Sequence, residues 1–269
     1  MQNIQDAIAL LLDDLGAGIV VFVHPVTEAH EFLAAGVISP LLANVYLHEL
    51  DLRWHRRGGP RERFSARLVR YADDFVVLAR SIDAPIQRFL EELLEGKMEL
   101  TLNVEKTRIV NLREERTSLD FLGYTFRFDE SPRGPGSYLN WFPCSKALSR
   151  RRAEVKALTE RRCTLPVAIV VSELNRKLLA WGRYFRLGYP SEAFGDLDAY
   201  TWMRLARLGR NRSQRPMKRP QGMSDYAWAR ELGLIRLGDP RVIAYLRGQA
   251  DLPQAYRRAG CGKSARPVR

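Results

Sequence analysis

Residues 67–79 read Arg-Leu-Val-Arg-Tyr-Ala-Asp-Asp-Phe-Val-Val-Leu-Ala, two runs of β-branched, aromatic and aliphatic residues with a pair of aspartates between them. Strand formers on both sides of a two-residue polar element predict a β-hairpin, and a hairpin commits the chain to an antiparallel sheet. It also sets Asp73 and Asp74 at the end of a stiff ribbon. Adjacent carboxylates repel one another unless screened, and a hard, oxygen-ligated ion such as Mg²⁺ removes that repulsion and can bridge to phosphate. The plain alternative is a polar turn.

The flanking sequence supplies the rest of an α+β layer. Ser39 followed by Pro40 is a helix start, a hydroxyl at the cap and a ring whose fixed φ suits the first turn. The helix continues to about Arg53, and Leu42, Val45, Tyr46, Leu50 and Trp54 recur at three- and four-residue spacing, which predicts that they face a core. After the hairpin, Asp83 and Pro85 open a second helix ending near Gly96, with Ile86, Phe89, Leu90, Leu93 and Leu94 on one face. Residues 100–102, 109–110 and 121–128 read as strands, and Gly134-Pro135-Gly136 interrupts the chain. Residues 1–35 hold two apolar runs, 8–12 and 19–23, which periodicity alone does not assign to helix or strand. His24, Glu28 and His30 have no helical ligand spacing and read as structural.

Beyond Trp141 the composition becomes helical and basic. Lys146, Arg150, Arg151, Arg152, Lys156, Arg161 and Arg162 accompany Leu148, Val155 and Leu158, as on a helix with a cationic outer face, for which a solvated surface is the plain reading. Pro166 opens another helix whose ridge runs through Val167, Val170, Leu174, Leu178, Trp181 and Phe185. Between Arg204 and Arg219 stand seven Lys or Arg and no acid, a one-signed stretch that repels itself without a polyanion. Tyr184, Phe185, Tyr189, Tyr200 and Trp202 lie nearby and offer rings for stacking on unpaired bases, or side chains for a core. The tail 257–269 is basic and poorly patterned, and is expected to be mobile.

A formal net charge of +12 over 269 residues points the whole chain toward nucleic acid, because clustered Lys and Arg displace counterions from a phosphate backbone. An acidic membrane surface would require a basic amphipathic helix with a spare apolar face, and none is evident. No apolar run approaches the roughly 18 residues a membrane helix needs. Cys144, Cys163 and Cys261 are odd in number and widely spaced, which reads as free thiols in a reducing compartment. With no secretory signal at the amino terminus, the cytoplasm is the expected location.

The tetrapeptide Tyr71-Ala72-Asp73-Asp74 resembles the active-site hairpin of reverse transcriptases. Residues 36–47, Gly-Val-Ile-Ser-Pro-Leu-Leu-Ala-Asn-Val-Tyr-Leu, resemble the motif that precedes it in group II intron-encoded members, and Leu102 to Thr107 and Phe121 to Tyr124 follow in that family's order. Residues 174–185, Leu-Asn-Arg-Lys-Leu-Leu-Ala-Trp-Gly-Arg-Tyr-Phe, resemble the start of its maturase-specific region. The resemblance implies a partial polymerase palm over residues 36–142, a thumb helix within 143–165 and a helical maturase region over 166–225. These are framed by a non-matching segment 1–35 and a basic extension 226–269.

Residue by residue, the resemblance makes Asp73 and Asp74 the palm carboxylates that hold Mg²⁺ in two-metal phosphoryl transfer, and Lys106 the cation near the triphosphate. Tyr71, Ser39, Pro40, Asn44, Phe121, Leu122 and Gly123 become contacts to primer and template. The candidate RNA contacts are Arg150, Arg151, Arg152, Lys177, Arg183, Arg204, Arg207, Arg210, Arg212, Arg215, Lys218 and Arg219. The implied partners are intron RNA, an RNA/DNA primer-template and deoxynucleoside triphosphates.

The chain also departs from the pattern. Leu33-Ala34-Ala35 stands where the family has Pro-Gln-Gly, and the third metal-binding aspartate, carried in the family by a strand well upstream, has no clear counterpart, although Asp13 or Asp14 could mimic it. A lone Cys261 gives no endonuclease zinc site. Two functions follow: RNA-directed DNA synthesis, for which an amino-terminal half encoded separately would supply the missing aspartate, or a remnant without synthesis, with a weak or incomplete Mg²⁺ site, that only binds structured RNA.

Overall fold

The computed structural model describes residues 19–23, 25–26, 39–81, 84–102, 107–132, 134–160, 165–211, 221–253 and 256; the side chains of 19–26, 39–40, 101–102 and 225 lie outside that description. Two compact units share the chain, one of residues 1–119 with 126–140 and the other of 120–125 with 141–269.

In the first unit, strand β1 (Ile19–Val23) is followed by the short β2 (Pro25–Val26), helix α1 (Ser39–His55) and the single turn α2 (Pro60–Arg63). The hairpin strands β3 (Arg67–Tyr71) and β4 (Asp74–Ala79) come next, then α3 (Ala84–Glu91), which widens into a π-helical turn over Glu92–Lys97, and strands β5 (Thr101–Leu102) and β6 (Arg108–Asn111). The main sheet has the order β3-β4-β1-β6, and each of its pairs is antiparallel. With α1 linking β1 to β3 and α3 linking β4 to β6, this is a βαββαβ split arrangement. Residues 19–23, which the sequence left between helix and strand, are thus a central strand, with Val20 across from Leu78 on one side and Val110 on the other.

The pleat explains the core. Phe75, Val77 and Ala79 share one face of β4 and meet Leu47, Leu50 and Trp54 of α1 and Ile86, Leu90, Leu93 and Leu94 of α3 and its π turn. Trp54 is fully buried and donates its indole N–H to the Ala66 carbonyl at 3.3 Å, satisfying the one polar atom it brings inside. The α1 face predicted from spacing needs correction. Leu42, Val45 and Tyr46 are exposed, and the buried stripe is Leu47, Leu50 and Trp54. Apolar residues surround the first half of this helix, so the period could not select a side, and contact with Phe75 and α3 did.

Strands β7 (Leu119–Phe121), β8 (Tyr124–Glu130) and β9 (Ser137–Pro143) form a separate three-stranded sheet in that order. Leu122 and Gly123, both with positive φ (48° and 80°), make the two-residue turn between β7 and β8, the backbone of a type I′ hairpin.

The second unit is helical: α4 (Ser145–Leu158), α5 (Val167–Tyr184), α6 (Ser191–Asn211), α7 (Asp225–Glu231) and α8 (Pro240–Leu246). The α5 ridge is buried as its spacing predicts, at Val167, Val170, Leu174, Leu178 and Trp181. Two polar side chains on α5 and α6 clamp the segment between α7 and α8. Asn175 donates to the Gly233 carbonyl (2.8 Å) and accepts from the Ile235 N–H (2.9 Å), and Asp198 accepts from the Leu237 and Gly238 N–H groups (2.8 and 2.9 Å). Gly182 lies under Leu237 and Leu246, and Gly209 under Trp228, where a β-carbon would meet those side chains at 2.9 and 2.3 Å. Residues 225–247 are therefore packed structure, continuous with the helices before them. Segment 257–269 and most of 1–35 lie outside the described residues.

Candidate functional site

Strand register places the acidic tip one residue earlier than a two-aspartate turn. Tyr71 pairs with Asp74, so the turn residues are Ala72 and Asp73, and Asp74 already belongs to the returning strand. Ala72 has φ of 54° whereas Asp73 does not appear in the positive-φ region, the pattern of a type II′ turn, in which glycine is the usual first residue. An alanine held there stores local strain, and residue composition alone did not reveal the position of the turn.

That conformation has an anchor. Arg70 lies on the helix-facing side of β3, across from Phe75, with its side chain 13% exposed. Its Nη1 donates to the Ala72 carbonyl and to Asn44 Oδ1, both at 2.8 Å, and its Nε lies 3.2 Å from both oxygens of Asp51 on α1. The tip is thereby tied to α1 through one guanidinium. Asn44, expected as a template or primer contact, is exposed and engaged with Arg70. Arg70 itself was not singled out from sequence, although a charged residue on the inward face of a strand signals a buried partner.

Asp73 and Asp74 are half-buried, and Tyr71 is 37% exposed. The pleat puts Tyr71 and Asp74 on the face away from α1 and α3, with Val76 and Leu78, opposite to Arg70. Strand β1 ends at this place, since Val23 is paired with Phe75, the neighbour of Asp74. Carboxylate oxygens suit a hard cation such as Mg²⁺, so the donor type fits. Among the described residues, Asp73 and Asp74 are not joined by a third His, Cys, Asp or Glu into a metal-binding group. Asp13, Asp14 and Lys106 lie outside the described residues; Ser39 and Pro40 begin α1, but their side chains lie outside the description.

Phe121, Leu122 and Gly123 border a cavity of about 570 Å³ in the second unit, with Lys146 and Arg150 of α4 on one wall and Trp181 and Tyr184 of α5 on another. The Cys144 N–H donates to the Gly123 carbonyl (2.8 Å), and a β-carbon on Gly123 would come within 3.3 Å of the Phe185 ring. Both the positive φ and the close ring favour glycine at this position.

The basic residues separate by their partners. Arg150 and Arg207 are exposed, as is Arg210. Arg151 pairs with Glu154 at 2.8 Å, Lys177 reaches the same carboxylate at 3.1 Å, and Arg152 lies 3.5 Å from Asp196 and over the Tyr200 ring. Burial pushes the Glu154 carboxyl up, but the Lys177 hydrogen bond and the Arg151, Lys177 and Arg150 charges outweigh it and hold the group below its ordinary value. Burial also lowers the Arg151 guanidinium. Arg183 stacks over Tyr245 and bonds its hydroxyl. Arg204 is turned to the C-terminus of α4, donating to Thr159 Oγ1 and the Thr159 carbonyl at 3.1 Å each, so its fork is committed to a helix cap. Arg212, Arg215, Lys218 and Arg219 lie outside the described residues.

No helix among the described residues is long and apolar enough to cross a membrane. Residues 36–126 match the reverse transcriptase (RNA-dependent DNA polymerase) family, and residues 148–227 match the group II intron maturase-specific domain. A curated relative, protein YkfC of Escherichia coli (strain K12), is 30% identical over a segment covering 42% of this chain and 36% of that protein, so the match spans about a third of the relative's length. Among solved structures, telomerase from Candida albicans in complex with a TWJ fragment of telomeric RNA aligns with 96% of this chain and 51% of that chain, at 13% identity and a TM-score of 0.30. With both matches in sequence along it, the chain carries the reverse transcriptase domain and the maturase-specific domain that mark the group II intron reverse transcriptase/maturase family.

Proposed function

We propose that this protein carries out RNA-directed DNA synthesis and binds structured intron RNA, the first with the hairpin unit and the second with the helical unit, in the cytoplasm. The observation that carries the reading is the acidic tip, two adjacent carboxylates on a strand pair that Arg70 fastens to α1. In this reading residues 36–142, joined by β1, serve as the palm, residues 143–165 as the thumb and residues 166–225 as the maturase region.

Asp73 and Asp74 would hold Mg²⁺, which when bound supplies charge neutralisation for phosphoryl transfer and lowers the pKa of the primer hydroxyl. Tyr71, on the same face as Asp74, would border the primer terminus. Lys106 would offer a cation to the departing pyrophosphate. Ser39, Pro40 and Asn44 at the start of α1 would line the template and incoming deoxynucleoside triphosphate. The turn Phe121-Leu122-Gly123 would hold the primer strand against Lys146 and Arg150. The exposed Arg150, Arg207 and Arg210 would contact RNA phosphates, with Arg212, Arg215, Lys218 and Arg219 continuing the same basic stretch.

The test is primer extension on an RNA template with Mg²⁺ and deoxynucleoside triphosphates, beside salt-dependent binding of structured RNA. Extension that Asp73→Ala abolishes supports synthesis. Undetectable extension with RNA binding that weakens on neutralising Arg207, Arg210 and Arg212 sinks synthesis for this chain and favours the RNA-binding remnant, a reading that the exposed arginines support by themselves. Extension and binding that both persist in these variants leave the activities standing and overturn the assignment of Asp73 and of these arginines to them.

A further inference from the structure

We infer that Arg70 is the positioning residue that sets the geometry of the Asp73-Asp74 pair for cation binding, through the Ala72 carbonyl; the inference rests on the metal-binding reading of the tip. The Ala72 carbonyl belongs to the peptide unit that leads into Asp73, so the 2.8 Å bond from Arg70 Nη1 orients that peptide plane. The turn needs such a hold because Ala72, with φ of 54°, sits where L-residues carrying a β-carbon are disfavoured.

Only a planar fork meets all the acceptors present. One guanidinium reaches Ala72 O, Asn44 Oδ1 and both oxygens of Asp51. A lysine would keep the charge pair with Asp51, but its point-like ammonium cannot span these acceptors in the same plane. Asp51 has a second effect. It draws the positive charge to the helix side of the sheet, whereas the register places Asp74 on the opposite face, so Arg70 supports the tip without occupying the cation's place beside Asp74. Asn44 completes the clamp from α1 and joins the helix to the hairpin. The arrangement is that of an outer partner fixing the direction of a metal-binding group, the kind of contact whose loss weakens metal affinity without removing a ligand.

The experiment is a Mn²⁺ titration of the full chain followed by electron paramagnetic resonance, with thermal unfolding measured on each variant. Arg70→Lys should weaken Mn²⁺ binding about tenfold while the melting temperature, supported by the retained Asp51 pair, changes little. The double variant Arg70→Lys with Ala72→Gly should recover most of that loss, because glycine adopts the positive φ without being held. Because glycine also relieves the strain of a positive φ, the melting temperatures decide what the rescue means: recovery without a matching rise in melting temperature supports the inference, and recovery that only tracks the melting temperature overturns it. Asn44→Ala, an exposed helix position where alanine is well tolerated, should weaken binding in the same direction by a smaller factor and keeps the inference testable if Arg70→Lys fails to fold. Wild-type Mn²⁺ binding that Arg70→Lys and Asn44→Ala leave unchanged overturns the inference alone. Wild-type binding no tighter than that of the Asp73→Ala, Asp74→Ala double variant overturns the metal-binding reading and the inference with it.

Discussion

Tyr124 and Tyr184 lock two distant motifs to each other: the Tyr124 hydroxyl donates to the Tyr184 carbonyl at 2.6 Å, and the Tyr184 hydroxyl donates to the Leu122 carbonyl at 2.8 Å. The first tyrosine closes the β7–β8 turn and the second ends α5, so the turn Phe121-Leu122-Gly123 is held by the helix that carries the maturase match. The two bonds are not equivalent. Tyr124 is fully buried, and Tyr124→Phe leaves a helix-terminal carbonyl without its donor, at a cost of about 1–3 kcal/mol. Tyr184 is partly exposed, water can replace its hydroxyl at Leu122, and Tyr184→Phe should cost about 0.5–1.5 kcal/mol. Urea unfolding of the two variants should show that order; equal losses would mean that the bonds do not differ in burial as described.

The parts of this architecture that depend on local pattern were legible in the sequence. Strand formers on both sides of an acidic pair in residues 67–79 gave the hairpin, the ridge from Val167 to Trp181 gave α5, and the ordered motifs gave the family. What was not legible depends on partners distant along the chain. The tip falls at Ala72-Asp73 because Arg70 and α1 hold an alanine at positive φ. The buried side of α1 was set by Phe75 and α3. Helix α6 carries Gly195, Asp196, Asp198 and Gly209, which weaken a helical pattern, yet Asp198 and Gly209 are there because Leu237, Gly238 and Trp228 pack onto them. The arginine set read as one RNA-binding group divides by neighbour, with Arg204 serving Thr159, 45 residues earlier.

Two glycines on α6 should respond to alanine with opposite sign. Nothing lies within 4 Å of a β-carbon at Gly195, so Gly195→Ala removes only the entropic penalty of glycine inside a helix and should stabilise by about 0.5–1 kcal/mol. At Gly209 the same gain in propensity is opposed by Trp228, whose ring would be 2.3 Å from the new carbon. Overpacking of that kind costs about 1–3 kcal/mol, so Gly209→Ala should be net destabilising. Thermal melts of the pair settle it, and a stabilised Gly209→Ala would show that Trp228 can move aside.

Arg204 and Arg207 are three residues apart and should fail differently. Arg204→Ala strips the carbonyl and hydroxyl of the buried Thr159 of their donor and should lower stability by about 1–3 kcal/mol. Arg207→Ala removes an exposed cation, should change stability by no more than about 0.5 kcal/mol, and should reduce the slope of log affinity for RNA against log salt by about one. Unfolding curves and binding isotherms at several salt concentrations separate the two effects. If Arg207→Ala leaves the salt slope intact, this end of α6 is not part of the RNA surface.

Asp198 should make the helical unit less stable as pH rises. Burial pushes its carboxyl up to about 6, against the opposing pull of the Gly238 and Leu237 N–H groups and the Arg236 charge. Between the unfolded value of 3.8 and about 6 the folded chain holds a proton that the unfolded chain has released. The group's contribution is therefore fully present below the unfolded value and lost as pH rises through 6, on the order of 3 kcal/mol over the whole range. Asp239 acts in the opposite sense at lower pH: the Arg241 hydrogen bond holds its carboxyl below the ordinary value, and its contribution is lost as pH falls. Stability measured from pH 5 to pH 8 isolates the Asp198 effect. The wild type should weaken over that interval, and Asp198→Asn, which cannot ionise, should lose the decline that Asp198 causes. Asparagine can accept from only one of the two N–H groups with its oxygen, because its amide nitrogen is a donor, so this variant should also start less stable at pH 5. An unchanged pH profile in Asp198→Asn would mean that Asp198 is not the group that titrates.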